Sequence, residues 1–223
     1  MKKVLKNVSF MIFLLKSCLF LSQDLDAKKV IVIDPGHGGK ESGAIGINGI
    51  QEKDVVLDIA EVILKLNKKL DEPLDIYLTR YTDTLISLCD RITLAKAIKA
   101  DLFLSLHCNH SDNPNARGVE AYVANQSSGF SEEAIWLAFQ LQADLNKKLG
   151  FESRGVKFAD FQVFRETIND FPSVLVELGF LSNWDEARYL MKEKNVLAIV
   201  LTILKGLEIK KLGYDWTVYR NYQ

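Results

Sequence analysis

Histidine is scarce in this chain: three of 223 residues, at positions 37, 107 and 110. Cysteine is equally sparse, at Cys18, Cys89 and Cys108, which is too few for a disulfide framework and fits free thiols better than cross-links. No internal repeat is present, which excludes a solenoid, and no low-complexity linker divides the chain. No long run of one charge occurs either. Without residues 1–22, 24 Lys and Arg face 29 Asp and Glu, a net of about −5, and no basic patch remains to take nucleic acid. The one long apolar stretch, Val8 to Leu21, is too short and too interrupted for a spanning helix.

What is present suffices for one globular domain, since 48% hydrophobic content over this length builds one sizeable core. Residues 1–22 stand apart. Lys2, Lys3 and Lys6 precede the apolar stretch, the pattern of an export signal. Leu15-Lys16-Ser17-Cys18 is an imperfect lipidation box, with Lys16 out of place, so simple cleavage ranks above lipid attachment at Cys18.

Strands and helices then alternate. Val30 to Ile33 reads as a buried strand, and Asp54 to Leu70 as an amphipathic helix with Val55, Ile59, Val62, Ile63 and Leu66 at helical spacing. Leu74 to Thr79 reads as a strand, Ser87 to Lys99 as a helix burying Leu88, Ile92, Ala95 and Ile98, and Leu102 to Leu106 as a second buried strand. Val119 to Val123 is a further strand. A helix capped by Ser131 runs to Gly150, Gln162–Arg165 and Ser173–Leu178 read as short strands, and Asn183 caps a helix through Met191 before a last one over 196–207. This order implies an α/β fold: a single domain with a mostly parallel central sheet and helices on both faces. In such sheets, sites gather outside the carboxyl ends of the strands.

Three ionisable residues fall at that end. His37 sits on the glycine-rich turn Asp34-Pro35-Gly36-His37-Gly38-Gly39, where small residues let backbone approach a ligand closely. His107 follows the second buried strand; a hydrogen-bonded core histidine is the competing reading. Glu177 lies in Val174-Leu175-Val176-Glu177-Leu178, where an unpaired carboxylate is costly. It answers either a metal and a reaction or a salt bridge to Arg80 or Arg91, and on the residues alone the two weigh evenly. Glu52, after the glycine-containing segment Ser42 to Gly49, is a further ligand candidate for zinc, which takes three His or carboxylate ligands and keeps a fourth position for water in hydrolases. Asn109 shares the face of His107 and is a candidate substrate contact; Arg80 is a weaker one, with a structural role preferred. His110 reads as a solvated loop residue. Cys108 points away from His107 on an extended strand, against a Cys-His dyad.

Six ordered motifs carry a resemblance: Asp34-Pro35-Gly36-His37-Gly38-Gly39, Glu52-Lys53, Leu78-Thr79-Arg80, Ala100 through Asn109, Arg154-Gly155-Val156-Lys157, and Glu177 through Asn183. Over about Val30 to Leu207 the sequence resembles the zinc-dependent N-acetylmuramoyl-L-alanine amidases of the amidase family 3 type. The resemblance implies a phosphorylase/hydrolase-like α/β fold over 28–212, Zn2+ held by His37, Glu52 and His107, and Glu177 as the catalytic carboxylate. It also implies peptidoglycan as partner, with cleavage between the lactyl group of N-acetylmuramic acid and L-alanine, and a place in the periplasm or cell envelope. A zinc peptidase acting within the stem peptide and a catalytically silent wall-binding module are the alternatives. Only about 30 residues separate Tyr122 from Arg154, and one helix fills most of them. The blocking helix that some division amidases insert there is therefore expected to be absent, and no activator is expected to be needed. The tail, 213–223, is too short to fold alone.

Overall fold

The computed structural model describes residues 28–47 and 49–211. Six strands form one sheet: β1 (Val30–Pro35), β2 (Asp75–Leu78), β3 (Leu102–Asn109), β4 (Val119–Ala124), β5 (Ser153–Ala159) and β6 (Ser173–Phe180). Their spatial order is β2-β1-β3-β6-β4-β5. Four of the pairings are parallel, and β4 runs antiparallel to β6. The helices are α1 (Glu52–Asn67), α2 (Leu88–Ala97), α3 (Ser131–Leu149), α4 (Gln162–Thr167), α5 (Trp184–Leu190) and α6 (Glu193–Lys211).

Because side chains alternate along a strand, the sheet has two unlike faces. Ile31, Ile33, Leu102, Leu104, Leu106, Val174 and Val176 point to one face and pack under α1, α3 and α6 in the larger apolar cluster. The opposite face starts apolar, with Val32, Phe103 and Leu175 beneath Ile92 and Ala95 of α2 and Val163 and Phe164 of α4. Two residues further along the same strands it turns polar: Asp34, Ser105, then His107 and Glu177. The short helices α2 and α4 cover only the apolar part, which leaves the polar row under a cleft.

Several boundaries differ from the sequence reading. Gln162–Arg165 is the body of α4, not a strand; Val163, Phe164 and Thr167 are buried together on one helical face, a pattern that four residues of sequence do not separate from a strand. Ser153–Ala159 is a strand that carries too much charge to announce itself, with Gly155 at φ 76°. Ser131 opens α3 rather than capping it, and its hydroxyl accepts the Ser128 N–H at 2.8 Å. Leu88, in the first turn of α2, is exposed and borders a cleft rather than the core. Asn183 does cap α5, accepting the N–H groups of Asp185 and Glu186. α1 begins at Glu52 itself, where a carboxylate also suits the positive helix end, and closes at Asn67, whose side-chain amide pairs with both backbone groups of Leu74. Residues 1–22, Cys18 and the tail lie outside the described residues. Among the described residues no helix is long and apolar enough to cross a membrane.

Candidate metal centre and active site

The turn after β1 presents His37 at φ 59°, a left-handed conformation costly for a residue with a side chain. A buried network holds it. Asp34 accepts from Arg91 Nη1 (2.5 Å), Thr79 Oγ1 (2.6 Å) and Ser105 Oγ (2.8 Å). Arg91 also donates to the carbonyls of Pro35 and His37. Arg80 donates to the carbonyls of Pro35, Gly36 and Lys53, so its guanidinium braces the turn from below and stitches it to α1. That is the structural role preferred for Arg80. Neither arginine pairs with Glu177, which removes the salt-bridge reading of that residue.

Glu52 reaches the turn through the glycine-containing loop. Its Oε2 lies 3.2 Å from His37 Nε2 and accepts the Ala44 N–H at 2.7 Å; its Oε1 lies 2.8 Å from His107 Nδ1 and accepts the Cys108 N–H at 3.0 Å. Burial raises the Glu52 carboxyl pKa, but the hydrogen bonds to His107 and His37 outweigh it and hold the group well below the usual carboxylate range. Two glycines make this convergence sterically feasible. A Cβ on Gly36 would stand 2.3 Å from His107 Cε1, and one on Gly43 would stand 2.4 Å from Glu52 Oε2.

One ligand atom from each of His37, Glu52 and His107 lies within 4.8 Å of the others. Two imidazole nitrogens aimed at one anionic carboxylate suit a shared cation, and an N,N,O donor set with an open side suits zinc. The chain therefore fits the metal that the sequence suggested.

Glu177 lies in register with His107 on the adjoining strand. Among the described residues its Oε2 has no hydrogen-bond partner. Burial pushes its carboxyl up to about 7; the His107 charge opposes the rise, and Glu52 and Glu120 add to it. Over the centre opens a cleft of about 530 Å³ lined by Gly36, His37, Leu85, Leu88, Arg91 and His107, among others.

Asn109 donates to Glu120 at 2.8 Å, at the edge of the centre, and His110 is exposed. Among the described residues Cys89 and Cys108 are free; Cys108 is buried, with its thiol pushed well up by desolvation, so a Cys-His dyad has no thiolate. The sequence reading assigned no role to Glu120. This buried acid stands opposite Glu177 on β4 and accepts from Asn109, Tyr122, Arg154 and Lys157. Its only sequence signal is a charge alternating with apolar residues in Val119 to Val123.

Residues 31–209 match the family described as N-acetylmuramoyl-L-alanine amidase. The chain belongs to that family. Solved members share the amidase fold seen here: the catalytic domain of CwlV from Bacillus (Paenibacillus) polymyxa var. colistinus superposes with TM-score 0.72 at 33% identity, covering 80% of this chain and 96% of that one. An N-acetylmuramoyl-L-alanine amidase from Clostridium difficile 630 gives TM-score 0.77 at 29% identity, covering 85% and 100%. The N-acetylmuramoyl-L-alanine amidase LytC of Bacillus subtilis is 43% identical over 160 residues, which are 71% of this chain but 31% of LytC. The matched stretch thus spans about a third of LytC's length.

Proposed function

We infer that this chain is an exported peptidoglycan amidase that hydrolyses the bond between the lactyl carbonyl of N-acetylmuramic acid and the nitrogen of L-alanine. The observation that carries the reading is Glu177: a carboxylate with one oxygen buried and unpartnered among the described residues, level with the candidate metal ligand His107. His37 Nε2, His107 Nδ1 and Glu52 would hold zinc. Zinc bound there supplies Lewis-acid polarisation of the scissile carbonyl and a water made acidic enough to attack near neutral pH. Glu177 would take the proton of the attacking water at its free oxygen and return it to the alanine nitrogen as the C–N bond breaks. A carboxyl raised by burial above the ordinary range is suited to both halves of this transfer.

The other residues serve position. Asp34, Arg91 and Arg80 fix the His37 turn, and Asn109 stays a candidate substrate contact at the cleft edge. Residues 1–22 are read as the export signal. Activity without a partner is favoured by α3, the helix between Tyr122 and Arg154: its Trp136, Leu137, Ala138, Leu141 and Leu145 are buried in the core, so this segment packs under the sheet and does not cap the cleft. Digestion of purified peptidoglycan with and without a chelator, followed by mass analysis, tests the reading. Products should carry a free lactyl carboxylate and a free L-alanine amine, and the chelator should abolish them. His37→Ala should lose bound zinc and activity together while its circular dichroism stays unchanged. Cuts within the stem peptide, or chelator-resistant release, would overturn it.

A further inference from the structure

Beyond Glu177, on the side away from His37, the sheet carries a feature the hydrolytic step does not use. Glu120 lies opposite Glu177, and Tyr122 pairs with Lys157 on the next strand. The order across this face is therefore His107, Glu177, Glu120 with Tyr122, then Lys157. Glu120 is 2% exposed and accepts from both Arg154 Nε and Lys157 Nζ. Arg154 lies 4.9 Å from the Phe180 ring centroid and Lys157 5.6 Å from that of Tyr122.

Two cations thus share one carboxylate, which leaves a surplus positive charge. Burial raises the pKa of Glu120, but the hydrogen bonds from Lys157, Tyr122 and Arg154 more than reverse this, so the acid stays ionised and both cations stay tied. Yet neither head group is shut in: the Lys157 and Arg154 side chains are 39% and 34% exposed. Charges anchored on a buried counter-ion, pinned over aromatic rings and open on one side are preorganised to receive an anion.

Resting on the function proposed above, the geometry points to Lys157 and Arg154 as a carboxylate-binding subsite for the stem peptide on the leaving-amine side of the scissile bond. Strands lie about 4.8 Å apart, so β5 stands about 10 Å from Glu177. An extended peptide covers about 7 Å in two residues, and Lys157 leans back toward Glu120, one strand nearer. The residue after L-alanine in peptidoglycan is a γ-linked D-glutamate whose α-carboxylate is either free or amidated, and it falls in this range. The lactyl and sugar side then points the other way, into the cleft beside Leu85 and Leu88.

The test compares two synthetic muramoyl peptides, identical except that the glutamate α-carboxyl is free in one and a primary amide in the other. The zinc-loaded full chain should favour the free acid through a lower KM, by roughly tenfold in kcat/KM. Lys157→Met should cost the acid substrate several-fold more than the amide substrate, narrowing the preference to what Arg154 alone provides, and Lys157→Arg should restore most of it. Equal turnover of both substrates by the native chain would overturn the subsite. An equal loss on both in Lys157→Met would also overturn it, by marking Lys157 as a support for Glu120 alone. If neither substrate released a free lactyl carboxylate, the proposed function itself would fall, and this inference with it.

Discussion

Asp34 and Glu177 are two carboxylates on one face of one sheet, near the carboxyl ends of strands separated by a single neighbour, and they have opposite fates. Asp34 has a guanidinium and two hydroxyls around it. Glu177 has an oxygen with no partner among the described residues, and a carboxyl pushed up to about 7. A fully satisfied buried acid holds its surroundings in place; an unsatisfied one is costly to the fold, which makes it a candidate for chemistry.

The contrast breaks down most visibly if each acid is removed in turn. Glu177→Gln should keep the zinc site and lower kcat by roughly 10²- to 10⁴-fold, the range of a lost general acid–base group. In the native enzyme the acid limb of kcat/KM should fall below pH 7, since the bound dication pulls the Glu177 pKa beneath its metal-free value. A variant within a few-fold of native would place the proton shuttle elsewhere. Asp34→Ala should instead unfold the protein more easily, by about 3–5 kcal/mol in denaturant melts, because Arg91 is left buried and unpaired. A shift under about 1 kcal/mol would mean that the carbonyls of Ile86, Pro35 and His37 satisfy Arg91 without it.

The smallest effect has the opposite sign. Glu177 has a folded-state pKa above its unfolded value, so the folded state is penalised above pH 7 and relieved as pH falls through it. In chelator-stripped protein, Glu177→Gln should therefore be more stable than native at pH 8.5, by up to about 3 kcal/mol, with the gain vanishing near pH 4.5. Equal melting temperatures at both pH values would show that water or local movement already solvates the acid.

The sequence disclosed these two acids unequally as well. Glu177 stood out because an acid inside Val174 to Leu178 violates the local pattern, and His37 and His107 because a rare residue closed an apolar strand twice. Asp34 was read only as part of a turn; its partners Thr79, Arg91 and Ser105 come from three distant segments, and no local pattern encodes such a meeting. The alternation of strands and long helices sufficed for the fold class, whereas four residues at Gln162–Arg165 were too few to tell a helical turn from a strand.

Glu120, Arg154 and Lys157 escaped for a topological reason. The rule that sites sit at strand carboxyl ends holds for β1, β3 and β6. Because β4 reverses against β6 and β5 follows β4, the other half of the site draws Glu120 and Arg154 from near strand beginnings and Lys157 from further along β5. A charged residue at the start of an edge strand looks like ordinary surface until the reversal is known.

Gly36 carries a consequence of its own. Its backbone needs no unusual angle, so alanine would fold there as readily as glycine, yet the added methyl would occupy the ground on which the His107 imidazole stands. If His107 holds the metal as proposed, one methyl at position 36 would displace a ligand without touching any other residue of the centre. The step from a complete ligand set to a broken one would then be a single codon long.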